Sequence, residues 1–223
     1  RRRVYTDMKI LTNFATKEVP EDHNNNDNAP PTTLTDTSKL FSVSPVTPAL
    51  FLSGAPAVRE DVLVSLGVSC VISAAPELPP PPLPPQVSLV LRLPLKDQPT
   101  EDLLSQLHTV SDTIHQVIQD GGRVLVHCLA GVSRSAALVL AYLVKHRDLT
   151  LRSAFLQLRA CRPAVRPNSG FFRQLIEFEN QTRGTSSVEM VFNPAARAHI
   201  PDLYEADYQN TLCFINNRNF GKH

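Results

Sequence analysis

Residues 123–145 read RVLVHCLAGVSRSAALVLAYLVK. Arg123 to His127 is a compact apolar run of strand character. Ser135 to Lys145 is apolar nearly all round, as a helix buried inside a domain must be. Cys128 to Arg134, small and polar around Gly131, join the two. A strand running through a short loop into a buried helix belongs to the middle of an α/β domain, a sheet flanked by helices.

The surrounding chain repeats the alternation. Upstream, Ala49 to Leu52 reads as a short strand ending in a turn at Ser53-Gly54. Val58 to Leu66 suits a short helix stopped by Gly67, and Val68 to Ser73 a buried strand. Residues 76–85 hold seven prolines, a stiff connector before the strand pattern of Val87 to Leu95. Glu101 to Asp120 carries Leu103, Leu104, Leu107, Val110, Ile114, Val117 and Ile118 at helical spacing, closed by Gly121-Gly122. His108 and His115 fall near the polar side of that helix. Downstream, Leu151, Ala154, Phe155 and Leu158 mark an amphipathic helix whose face Cys161 continues. Phe171, Phe172, Leu175 and Ile176 mark another, opened by Pro167-Asn168.

At 223 residues the chain suits one buried domain with tails. Lys+Arg 22 against Asp+Glu 21 leaves no field that argues for nucleic acid or an anionic membrane. No apolar run approaches a membrane span. Residues 1–43 are polar and Asn-rich, and the expectation is a disordered tail with order starting near Val46. The first residue is Arg, and Met8 is a candidate start. Arg1 to Arg3 with Met8 to Ile10 loosely resemble a basic-hydrophobic kinase-docking peptide. Pro79 and Pro82 have the PxxP spacing read by SH3 and WW domains. The cysteines Cys70, Cys128, Cys161 and Cys213 are scattered without metal-ligand spacing, which suits free thiols in a reducing compartment.

The loop after Cys128 has a chemistry of its own. Inward-facing backbone N–H groups and the N-terminus of the following helix favour an anion at its centre. The same ring can stabilise a nucleophilic thiolate on Cys128 and bind the oxygens of a phosphoryl group. Gly131 suits the tight turn. Arg134, six positions on, returns to the loop mouth with a planar fork for two phosphate oxygens. Ser135 is placed to donate to the sulfur when it leaves, and Ser133 to serve the loop's structure.

His127-Cys128-x-x-Gly131-x-Ser133-Arg134-Ser135 resembles the signature of the dual-specificity phosphatases. Leu93-Pro94-Leu95-Lys96-Asp97 is similar to that family's general-acid loop, and Arg162-Pro163 with Arg166-Pro167-Asn168-Ser169-Gly170-Phe171 to its downstream motif. The resemblance covers about 44–184. Ser187 to Val191 and Pro201 to Glu205 resemble the tail of the small atypical subgroup, so 185–223 is expected as a partly packed extension. The resemblance implies a central mixed, mostly parallel sheet and a metal-independent phosphoprotein phosphatase without a cofactor. Cys128 would be its nucleophile, Arg134 the phosphate clamp and Asp97 the general acid, with Glu101, Asp102 and Asp120 as rival acids nearby. Leu129, Ala130, Gly131, Val132 and Ser133 would complete the phosphate-binding loop. His127 would orient that loop, and Asn168 would brace its backbone or cap a helix. Substrates would be phosphorylated proteins, with kinases among the partners, in the cytoplasm and in the nucleus as a second compartment.

The uncharged variable positions Leu129, Ala130, Val132 and Ser133 favour a protein phosphomonoester over a polyanionic lipid or RNA 5′-triphosphate. A scaffold that binds phosphoproteins without turnover is the rival class, and retention of both Cys128 and Arg134 argues against it. A protective disulfide from Cys128 to Cys70 or Cys161 is a further candidate, set against burial of both thiols.

Overall fold

The computed structural model describes residues 42–209; expectations placed on earlier residues, and on Cys213, lie outside the described residues. Seven strands and five α-helices follow in chain order, β1 (Val43–Thr47), β2 (Leu50–Gly54), α1 (Glu60–Ser65), β3 (Cys70–Ser73), β4 (Leu89–Arg92), α2 (Leu104–Gln119), β5 (Val124–Cys128), α3 (Arg134–His146), α4 (Leu151–Cys161), α5 (Ser169–Arg183), β6 (Met190–Asn193) and β7 (Ala198–Pro201). The main sheet has the order β1-β2-β5-β3-β4. β2, β5, β3 and β4 run parallel, and β1 adds antiparallel to β2. This is the mixed, mostly parallel sheet expected.

β5 sits at the centre, fully buried, because both its faces are covered. Val124 and Val126 join the core made with α2, α3, α4 and α5. Leu125 faces the other way, into a smaller cluster with Phe51, Val71 and Leu63 of α1. α3 is buried from Arg134 to Val144, which explains its apolar circumference. Parallel strands end together, and Cys128 lies opposite Gly54 at the carboxyl edge of the sheet. In open α/β sheets ligands bind at that edge. Cys128 therefore occupies the crevice before any loop geometry is considered.

Helix boundaries follow local chemistry. Gly67 stops α1 in the left-handed region at φ 63°, where a β-carbon is strained. The Thr150 hydroxyl accepts from the Ser153 amide at 3.1 Å to start α4. Asn168 Oδ1 accepts from the Phe171 amide at 2.9 Å to start α5.

Two features differ from the sequence expectation. β1 begins before Val46: Ser44 and Val46 face inward while Pro45 points out, a pattern that an edge strand tolerates. Cys161 is exposed rather than on the buried face of α4, because the chain turns there and Arg162 takes the inward position. The residues after α5 are part of the core. β6 and β7 form an antiparallel hairpin, and Val188, Ile200 and Tyr204 are buried in the main cluster.

Glu179, fully buried on α5, fastens that extension. It accepts the Leu151 amide at 2.7 Å and the Ser187 amide at 2.8 Å, so one carboxylate serves the start of α4 and the chain leading to β6. Tyr204 packs edge-on against Phe172, with ring centroids 5.3 Å apart, and donates its hydroxyl to the Pro167 carbonyl at 2.8 Å. Tyr204→Ala is expected to cost about 3–5 kcal/mol, the range for emptying a buried aromatic position. Tyr204→Phe should cost only about 1 kcal/mol for the lost hydrogen bond. Urea denaturation of the two variants checks the ranking.

Candidate active site

The loop from Cys128 to Arg134 is shaped by where its carbonyl oxygens go. Leu129 O accepts from the Ala55 amide at 3.0 Å, and Val132 O from the Arg166 amide at 2.9 Å. Ala130 O and Gly131 O accept from Arg162 Nη2 and Nε, both at 2.9 Å. A trans peptide points its N–H opposite to its C=O. Carbonyls at 129–132 that are held from outside therefore turn the amides of 130–133 toward the centre. Gly131 has φ 69°, and a β-carbon there would lie 2.6 Å from the Ser53 backbone, so this turn admits glycine alone without displacement.

Cys128 Sγ sits at the bottom of that ring, 2 % exposed. It accepts from the Gly131 amide at 3.3 Å and from the Ser135 hydroxyl at 3.1 Å. Both donors stabilise negative charge on sulfur. His127, also buried, lies on the opposite face of β5, with Nδ1 3.4 Å from the Cys128 carbonyl. Burial lowers its pKa, against the pull of that carbonyl and together with the charge of Arg92.

Arg134 is 4 % exposed. Its two terminal nitrogens donate to Glu77, Nη2 at 2.7 Å and Nη1 at 2.9 Å, and Nη1 also reaches the Leu95 carbonyl at 3.3 Å. Its Nε is buried with no hydrogen-bond partner. Asp97 is held above the loop: its Oδ1 accepts from Ser133 Oγ at 2.7 Å and from Asn168 Nδ2 at 2.9 Å. Its Oδ2 lies 3.9 Å from Arg134 Nε. Gly170 allows this proximity, since a β-carbon there would fall 1.9 Å from the Pro99 carbonyl oxygen.

The structure thus brings Cys128, Arg134, Asp97, Ser133, Ser135 and Asn168 together at one edge of the sheet. Glu101 and Asp102 sit instead at the approach to α2, where Asp102 Oδ1 accepts the Ser105 amide at 3.1 Å. Asp120 is at the far end of α2. Among the described residues, no group of three or more His, Cys, Asp or Glu could hold a metal ion.

Comparison with known proteins gives this geometry its family. The model of the dual specificity phosphatase catalytic domain matches residues 50–181. The chain belongs to the dual-specificity phosphatases. It is 42% identical over 174 residues to dual specificity protein phosphatase 14 of Mus musculus, covering 78% of this chain and 86% of the relative. With dual specificity protein phosphatase 18 of Homo sapiens it shares 38% over 175 residues, 75% of this chain and 88% of the relative. The crystal structure of human DUSP28 superposes with a TM-score of 0.60 at 37% identity, covering 62% of this chain and 93% of that one. As a member of this family the chain is a protein phosphatase, which removes phosphoryl groups from tyrosine and from serine or threonine by cysteine chemistry.

Two placements decide between readings that the sequence of this dual-specificity phosphatase left open. Asn168 caps α5, bonds Asp97 and donates its backbone amide to Ser133 Oγ at 3.1 Å, whereas the loop's carbonyls are braced by Arg162. Arg162 was visible in the motif, but only burial reveals its part: at 1 % exposure it also donates to Ser44 Oγ at 3.3 Å. Cys70 lies opposite Val124. Four residues of strand put it about 13 Å from Cys128, beyond the ~7 Å reach of a disulfide. Burial pushes the Cys70 thiol up to about 12.

Replacing Arg162 with lysine removes the fork that holds two carbonyls. A loss of about 1.5–3 kcal/mol, the worth of a charged hydrogen bond, corresponds to ~10–100-fold in kcat/KM. A steady-state assay with p-nitrophenyl phosphate measures it. His127 supplies a second test. Its native pKa is depressed, so below the unfolded value of 6.5 the unfolded chain takes up a proton that the native chain refuses. Its contribution to stability is present above that value and is lost as pH falls through it toward the native pKa. His127→Asn should therefore show a flatter fall in urea midpoint between pH 7.5 and 5.5 than the parent chain.

Proposed function

We propose that Cys128 is the nucleophile, Arg134 the phosphate clamp and Asp97 the general acid and base of this phosphatase. The observation that carries the reading is the outward bonding of carbonyls 129–132 around the Cys128 sulfur. It leaves a ring of N–H donors sized for a tetrahedral oxyanion. In the first step the Cys128 thiolate attacks phosphorus while the bond from phosphorus to the substrate oxygen breaks, and Asp97 gives that oxygen its proton. In the second, a water attacks the cysteinyl-phosphate and passes a proton to the Asp97 carboxylate. The S–P bond breaks, and the Ser135 hydroxyl donates to the departing thiolate. Ser133 and Asn168 hold the carboxyl of Asp97 in place between the steps.

Uncharged Leu129, Ala130, Val132 and Ser133 support a protein phosphomonoester as substrate, since a polyanion would find no additional cation in the loop. Leu129, 49 % exposed at the mouth, offers an apolar contact to the residue that bears the phosphate. Phosphoproteins are the partners that follow from the family. We extend this to a polyproline-reading domain of the SH3 or WW kind: Pro79, Pro80 and Pro82 are exposed while Pro84 turns inward. A reducing compartment such as the cytoplasm suits the free thiols Cys70, Cys128 and Cys161.

Cys128→Ser should abolish turnover of p-nitrophenyl phosphate and of phosphopeptides while retaining phosphopeptide binding. Asp97→Ala should lower kcat on phosphothreonine peptides by about 100-fold or more, the contribution of general acid catalysis. Its effect on aryl phosphates should be smaller, because their leaving groups need the proton less. Equal rates for Asp97→Ala and parent on phosphothreonine peptides would remove Asp97 from the mechanism.

A further inference from the structure

We infer that Glu77 is a positioning residue for phosphate binding, holding the Arg134 guanidinium by one edge so that its other edge faces the loop. The inference rests on the reading of Arg134 as the phosphate clamp. A guanidinium has five N–H donors and two edges that can grip an oxyanion, one made by both terminal nitrogens and one by Nε with Nη2. Glu77 takes the terminal edge through both oxygens, at 2.7 and 2.9 Å, and the Leu95 carbonyl takes a further N–H of Nη1. What remains is the side edge, Nε–H and the second Nη2–H. Nε is buried, unpartnered and 3.9 Å from Asp97 Oδ2, so this edge lies on the side of the acid. An arrangement in which Glu77 blocked the site would occupy the side edge instead.

The turn that presents Glu77 is written in the sequence. Leu78 donates its amide to Ala75 O at 3.1 Å, closing a turn over Ala75-Pro76-Glu77-Leu78. Pro76 stands at its second position, where a fixed φ favours the turn. The Leu78 carbonyl accepts from Arg92 Nη2 at 2.8 Å, which ties the turn to the end of β4. The proline run thus starts from a fixed point, and its first acidic residue reaches across to the loop. Burial disfavours the charge of Arg134, but Glu77, Cys128 and Asp97 together more than offset this; the Arg134 partner likewise lowers the pKa of Glu77.

The test is a double-mutant cycle on the full chain with p-nitrophenyl phosphate as substrate and inorganic phosphate as competitive inhibitor. Glu77→Ala should lower kcat/KM about 10–100-fold, as for a lost charged hydrogen bond, and weaken inhibition by phosphate. Glu77→Asp should recover part of both. In the Arg134→Lys background, whose ammonium cannot use the fork, Glu77→Ala should change kcat/KM by less than about 2-fold. A structural role would produce the same loss in both backgrounds and overturn the inference. So would an unchanged or faster Glu77→Ala enzyme, the second being the mark of an inhibitory clamp. If Arg134→Lys alone keeps the parent's kcat/KM and phosphate inhibition, the assignment of Arg134 fails first, and that outcome is separate from any result at position 77.

Discussion

Everything at this site depends on peptide carbonyls being held from behind. A backbone loop left to itself presents oxygens and amides in all directions, and a phosphate would meet repulsion as often as attraction. Here Arg162, itself buried, grips two oxygens, while the amides of Ala55 and Arg166 take two more. Burying the Arg162 guanidinium disfavours its charge, a cost that its bonds to the loop and to Ser44 on β1 reduce. The edge strand β1 and the turn after α4 are thus fastened to the same seven residues. The inward ring of amides is a property of the whole fold, expressed at one loop.

The sequence disclosed the centre of this arrangement more fully than its supports. β5, the loop and α3 were legible because burial on all sides produces uninterrupted apolar runs, and because cysteine, glycine and arginine have separate reasons to stand at that spacing. The helices α2, α4 and α5 were legible from periodicity. β1 was not, since Val43-Ser44-Pro45-Val46-Thr47 includes a proline and one residue type that tolerates either environment. The β6-β7 hairpin was also missed as such: Phe192 is 60 % exposed, and the inward residues Val188, Ile200 and Tyr204 are spread over three separate segments. Glu77 gave no signal at all. Its partner is 57 residues away in sequence, and a single acid among prolines looks like solvent-facing decoration until the chain is folded.

The downstream motif shows why neighbouring residues need not share a task. Arg162 orders the loop, Arg166 lends it an amide, and Pro167 offers its carbonyl to Tyr204. Asn168 caps a helix with its oxygen and steadies Asp97 with its nitrogen. The side chain of Arg166 lies 4.2 Å above the Tyr204 ring and pairs with Asp207, so the residues after β7 press on the back of the loop. A chain ending soon after α5 would lose these contacts, and with them much of the stiffness behind Val132.

Gly170 has a meaning beyond its fit. The backbone of α5 and that of Pro99 are so close that not even a methyl group could separate them, and Asp97 is two residues from that contact. Ser133 and Asn168 grip the carboxyl from the other side. The segment that carries Asp97 is accordingly fastened on both sides. A substrate phosphate would then meet Asp97 already in position above the loop. Selection among substrates would fall to what surrounds the phosphate at the rim, where Leu129 is exposed.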